Sequence, residues 1–266
     1  MKLSEKGFTA VTTRTLTNRT GSTTRLLAVG GVIGPVIFVV ACTIAGFLRP
    51  GYSPLHQAIS DLGVGPLAWL LNVALIVMGL LMIGCSASIL RILDPALGDP
   101  WRWVCSGLLA MPGLGFAWAG IFTEAPATVT LHWAVGMPLI AIGSIAGFLI
   151  TGIRLRRLDS WRGIGTYSIA ASVTSLALIT IMFTTWTLGI GGLTERVLFL
   201  EIMAWYAIVG WRLANDPPAD MEVRQEWASV SPDSVLSGQP SPSQRTHLAS
   251  RSPTARHRSS SPNPHG

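Results

Sequence analysis

A handful of polar side chains stand out against an otherwise apolar chain: His56, Ser60, Asp61, Asn72, Glu124, His132, Glu195 and Glu201. His56, Ser60 and Asp61 bring a nucleophile type, a base type and a carboxylate into one short connection. Their spacing argues against a catalytic triad, because residues so close within one short helix rarely reach triad geometry. His56, Asp61, Glu124 and His132 are also ligand types that suit zinc, but no H-x-x-x-H or H-E-x-x-H spacing accompanies them. The bland alternatives are loop capping by Asp61 and an interfacial place for His132 beside Trp133. Glu201 is the most demanding residue. An ionised group within an apolar helix costs about 2.5–3.5 kcal/mol on insertion scales. It must therefore face other helices and find a partner, such as Asn72 or a threonine, or hold a proton. A proton relay, a ligand contact and a structural hydrogen bond are all open to it.

The elements that must position these groups are long apolar segments, each about the ~20 residues needed to cross a bilayer. They cover 26–48, 66–92, 103–122, 131–153, 164–188 and 195–213. The expected fold is thus an all-α integral membrane protein, a six-transmembrane-helix bundle. Ser53 followed by Pro54 is a good helix start and Gly63 a good stop, which predicts a short interfacial helix over 54–62 in the first connection. On that helix His56 and Ser60 share a face. Gly30 with Gly34, and Gly143 with Gly147, form small-x-x-x-small pairs that allow close helix approach. Residues 1–25 and 214–266 are polar, and both are expected to be disordered in the cytoplasm. The polar start is too long for a signal peptide, so the first span is read as retained.

Only 12% of the residues are charged, about half the usual share for a soluble domain. The net charge of +6 is spread over loops and ends, which gives no compact basic surface for nucleic acid. Arg14, Arg19, Arg25, Arg91, Arg102, Arg154, Arg156, Arg157, Arg162, Arg212 and Arg224 fall on the side of the termini, against Arg49 and Arg196 on the other. This asymmetry predicts a plasma-membrane protein with both termini cytoplasmic. Trp69, Trp101, Trp103, Trp133, Trp161, Trp186 and Trp211 lie near span ends and fit interfacial belts. Cys42, Cys85 and Cys105 lie within spans, where they read as packing residues without a disulfide framework.

The stretch Arg49-Pro50-Gly51-Tyr52 through Ile59-Ser60-Asp61-Leu62-Gly63 resembles the signature of a prokaryotic membrane-protein family, domain of unknown function 998 (DUF998). The start of the last span, Gly192-Leu193-Thr194-Glu195-Arg196, is similar to that family's as well. The resemblance covers about residues 26 to 213 and implies six spans, but it supplies no catalytic residue, cofactor or metal.

These readings predict an outward-facing polar pocket roofed by residues 54–62, with Asp61, Glu201, His132 and His56 as its lining. Its leading use is binding or handling of a lipid or small amphiphile. A metal-assisted membrane hydrolase, a small proton-coupled transporter with Glu201 as carrier, and a non-catalytic scaffold are the alternatives.

Overall fold

The computed structural model describes the backbone of residues 5–97 and 99–215, and the side chains of 23–89 and 100–215. The tail expected over 214–266 lies, beyond Asn215, outside the described residues. Six long helices account for the membrane unit: α1 (Glu5–Leu48), α2 (Ala68–Leu97), α3 (Asp99–Ile121), α4 (Val129–Leu155), α5 (Arg162–Thr185) and α6 (Gly191–Asn215). All six are long and apolar enough to cross a membrane. No strand occurs among the described residues. This is the architecture a bilayer demands, because a helix satisfies its own backbone where no water can.

Two boundaries differ from expectation. α1 begins at Glu5, so the part of the 1–25 segment that is described is helical, although the apolar span starts only at Thr23. Its Thr-rich sequence has no apolar face, so this extension has no periodic signature. The connection between α2 and α3 is also nearly absent, because α2 continues to Leu97 and α3 starts at Asp99.

Each helix packs on its neighbours in sequence, and α1 closes the ring against α6. In its most apolar window α6 is 50% buried, the largest share of the six, against 28% for α5. Its aromatic side chains reach across the bundle. Trp205 stacks on Phe148 of α4 with centroids 4.3 Å apart, and Phe199 meets Phe116 of α3 edge-on at 4.9 Å. The outer surfaces remain apolar, with Val36, Val40, Phe47, Leu80, Val173 and Phe183 all exposed. Such a belt suits hydrocarbon around it and is too extensive for water.

Prolines shape the packing of α3 and the start of α4. Pro112 has no N–H to give the Leu108 carbonyl. A Cβ at Gly143 would overlap the Pro112 ring and come 2.9 Å from that carbonyl oxygen, so only glycine lets α4 lie here. The next carbonyl, Leu109, accepts Ser86 Oγ at 2.8 Å and the Tyr206 hydroxyl. Gly147 packs on Leu108 as well, while Gly30 and Gly34 pack on Leu81 and Met78 of α2. In α4, Pro138 likewise withholds its N–H from the Ala134 carbonyl, and His132–Gly136 widens into a π-helical turn.

Trp161 departs from the interfacial role expected of it. It is 3% exposed, and the Arg212 guanidinium lies 5.2 Å from its ring centroid. Trp69, Trp103 and Trp211 stay well exposed at span ends.

Candidate functional site at the distal end of the bundle

The distal end of the bundle lies opposite Thr23 and Asn215. It carries the first connection, from Arg49 to Leu67. The helix expected over 54–62 is not continuous. A turn at Ser53–Gln57 comes first, with the Gln57 N–H donating to the Ser53 carbonyl at 2.9 Å. The Gln57 side chain returns to accept the Ser53 N–H at 2.7 Å. A single 3-10 turn, Ser60–Gly63, follows. Between them the chain is broken by side chains that take its amides. Asp61 Oδ2 accepts the Ala58 N–H at 3.0 Å, and Glu195 Oε2 accepts the Ile59 N–H at 2.6 Å. Side chains that bond the backbone this way offer it an alternative to the helix ladder.

The same segment is fastened to the start of α6. The Leu193 N–H donates to the Leu55 carbonyl at 3.1 Å. Arg196 Nη1 donates to the Gln57 carbonyl at 2.9 Å, and Nη2 to the Tyr52 hydroxyl. Tyr52 donates in turn to the Ala58 carbonyl at 2.7 Å. A Cβ at Gly192 would overlap the Gln57 carbonyl oxygen, so this close approach needs glycine. Arg49 donates to the carbonyls of Asp61 and, at 3.2 Å, Val64. Both distal arginines thus hold loop carbonyls. Burial pushes the Tyr52 phenol up to about 12, although the Arg196 charge pulls the other way.

Beneath this strap lies a small cavity. Ser60, His132 and Glu195 form its polar wall, and Leu75, Phe116, Trp133, Ile140 and Phe199 are among its apolar lining. About 20 Å³ is open to the centres of water-sized spheres, room for roughly one water molecule. Ser60 is 8% exposed, and its Oγ has no hydrogen-bond partner among the described residues. Glu195 is 4% exposed, with one oxygen spent on Ile59. His132 Nδ1 lies 2.7 Å from the Phe122 carbonyl. A carbonyl only accepts, so Nδ1 carries the hydrogen and a neutral ring leaves Nε2 as an acceptor. That Nε2 is 3.9 Å from Glu124 Oε1. Burial raises the Glu124 carboxyl above its ordinary value; the nearby Ser60 hydroxyl, His132 and Trp133 lower it, and Asp61 raises it further.

The sequence candidates therefore separate. Ser60, His132 and Glu195 meet at the cavity, with Glu124 beside them. Asp61 caps the strap and Asn72 Nδ2 donates to the Gly63 carbonyl at 3.1 Å, so both shape the roof. His56 is a correction. It is exposed and its Nδ1 lies 2.5 Å from the Gly189 carbonyl, away from Ser60 and Asp61, so no triad forms. Glu201 is a second correction. It accepts Ser175 Oγ of α5 at 2.7 Å and does not line the cavity. It lies six positions after Glu195, which at about 100° per residue turns the two about 120° apart on one helix. Tyr52, Gln57 and Arg196 were not among the site candidates, yet they hold the roof. The i, i+4 spacing of Ser53 and Gln57 was the one local signal. Among the described residues no three His, Cys, Asp or Glu side chains are grouped to hold a metal ion, so the proposed zinc set does not assemble.

No curated protein matches the chain. No solved structure matches it either. The strap residues and the start of α6 lie within residues 32–212, which match the model of a family described as protein of unknown function (DUF998), and the chain belongs to that family.

Proposed function

We propose that the distal end faces outward across the plasma membrane and binds the polar head of a membrane amphiphile. The excess of arginines on the side of the termini supports this orientation, with both termini cytoplasmic. One observation carries the binding reading. A cavity beneath the strap joins a buried polar wall (Ser60, His132 and Glu195) to an apolar floor. Its volume suits the tip of a head group, so an acyl chain would stay in the bilayer. This revises the pocket lining: Glu195 and Ser60 take the places first given to Glu201 and His56.

Native mass spectrometry of the detergent-purified protein tests the reading. A stoichiometric lipid or amphiphile should be retained by the wild type and lost in His132→Ala. A wild-type protein that emerges empty from several mild detergents overturns it.

A second reading, proton carriage by Glu201, has one observation in its favour. Glu201 Oε1 is buried with no hydrogen-bond partner among the described residues. Glu201→Gln abolishing proton flux in proteoliposomes would support carriage, and wild-type proteoliposomes without flux would end it.

A further inference from the structure

Resting on the head-group reading, we infer that the cavity recognises a primary ammonium group. Its polar wall is built almost wholly of acceptors. Glu195 offers a carboxyl oxygen, the His132 ring in its neutral form offers Nε2, and Ser60 offers an oxygen that no donor among the described residues occupies. An ammonium presents three N–H donors and no acceptor, the complement of that wall. The charge agrees. Glu195 lies at the cavity and Glu124 beside His132, whereas the Arg196 guanidinium donates to Gln57, Gly192 and Tyr52. The remaining lining adds the rings of Phe116, Trp133 and Phe199, whose faces attract a cation. Size discriminates further. Space for roughly one water admits –NH₃⁺ but not a trimethylammonium group. A phosphate or carboxylate would meet Glu195 with like charge and find almost no donors.

The ammonium has two possible sources: the head group of an aminophospholipid, or a free alkylamine reaching the site from the membrane surface. Thermal unfolding of the full chain in nanodiscs separates them. In phosphatidylcholine discs, n-hexylamine should raise the unfolding temperature in a saturable way, and n-hexanol should not. Replacing part of the phosphatidylcholine with phosphatidylethanolamine should raise it in the same way if the lipid is the natural source; an effect of hexylamine alone assigns the site to free amines. Ser60→Ala removes a hydroxyl that bonds no backbone group of the strap, so it should weaken the hexylamine response about tenfold, the scale of one hydrogen bond to a charged group. Glu195→Gln still accepts the Ile59 N–H while losing the charge, and should abolish the response in a folded protein. Equal shifts from hexylamine and hexanol, or a hexylamine response unchanged in both variants, overturn the inference. If native mass spectrometry then finds an anionic lipid lost in His132→Ala, the head-group reading survives without the ammonium; if it finds nothing, both fall.

Discussion

Glu195 of α6 accepts the backbone N–H of Ile59 at 2.6 Å, although 136 positions separate them in the chain. This bond ties the roof of the cavity to α6 and uses a carboxyl oxygen where a backbone carbonyl would serve. The choice leaves a carboxyl group beside the cavity.

Glu195→Ala should therefore cost more than Glu195→Gln. Alanine strands a buried N–H, a loss of about 1–3 kcal/mol, whereas glutamine keeps the bond. Thermal unfolding in one detergent measures both variants, and equal losses would contradict the role given to the bond.

Gly192→Ala should loosen the strap, because its Cβ has no space against the Gln57 carbonyl. Gly107→Ala is the matched control, since a Cβ there meets nothing within 4 Å. Amide hydrogen exchange over residues 53–64 should quicken in the first variant and stay at the wild-type rate in the second.

Tyr52→Phe removes the acceptor for Arg196 and the donor to the Ala58 carbonyl. Two hydrogen bonds at about 1 kcal/mol each set the scale of the loss. In the wild type, the phenolate absorbance of Tyr52 should emerge with a midpoint of about 12. A midpoint near 10 would mean that the ring is not buried beneath the strap.

Glu124 supplies a pH dependence. Its carboxyl lies above the ordinary 4.5 in the folded protein, chiefly through burial. The folded state then binds this proton more tightly than the unfolded one, so stability falls as pH rises from 4.5 through the raised value. Glu124→Gln should be more stable than the wild type above that window, with the advantage fading as pH drops toward 4.5. Unfolding temperatures of both proteins across that range decide it; an advantage that grows toward acid would reverse the sign.

His56→Ala should leave amphiphile retention unchanged, because His56 contacts the Gly189 carbonyl outside the cavity. Loss of retention in the native mass spectrum would require His56 to turn inward.

Much of the polar constellation was legible as an inventory. Ser60, Glu124, His132 and Glu195 were recognisable as unusual residues near the distal ends of spans. Which of them converge was harder to read. Helices buried against protein on one side and facing lipid on the other are apolar all round, so hydrophobic periodicity does not mark the inward face. Glu201, deeper in the span, therefore seemed the stronger candidate than Glu195. The 120° between them on a helix was available from spacing alone, but the direction of the interior was not. The short helix over 54–62 was predicted from sound local signals, a Ser-Pro start and a glycine stop. It was broken by acceptors arriving from Asp61 and, across the bundle, Glu195.

The sequence by itself determined the solvent and the architecture. Runs of about 20 apolar residues must cross a bilayer, and each must be helical because nothing in hydrocarbon can satisfy an open backbone. Tertiary structure alone decided the site. It turned Glu195 toward Ile59 and the cavity that Ser60 lines, sent Glu201 to Ser175, and fixed the ring order in which α6 packs between α5 and α1. The reason is that spanning depends on the composition of each segment taken singly. Convergence depends on the rotation of each helix against its neighbours, which is set by contacts such as Gly143 on Pro112 and Gly192 on Gln57.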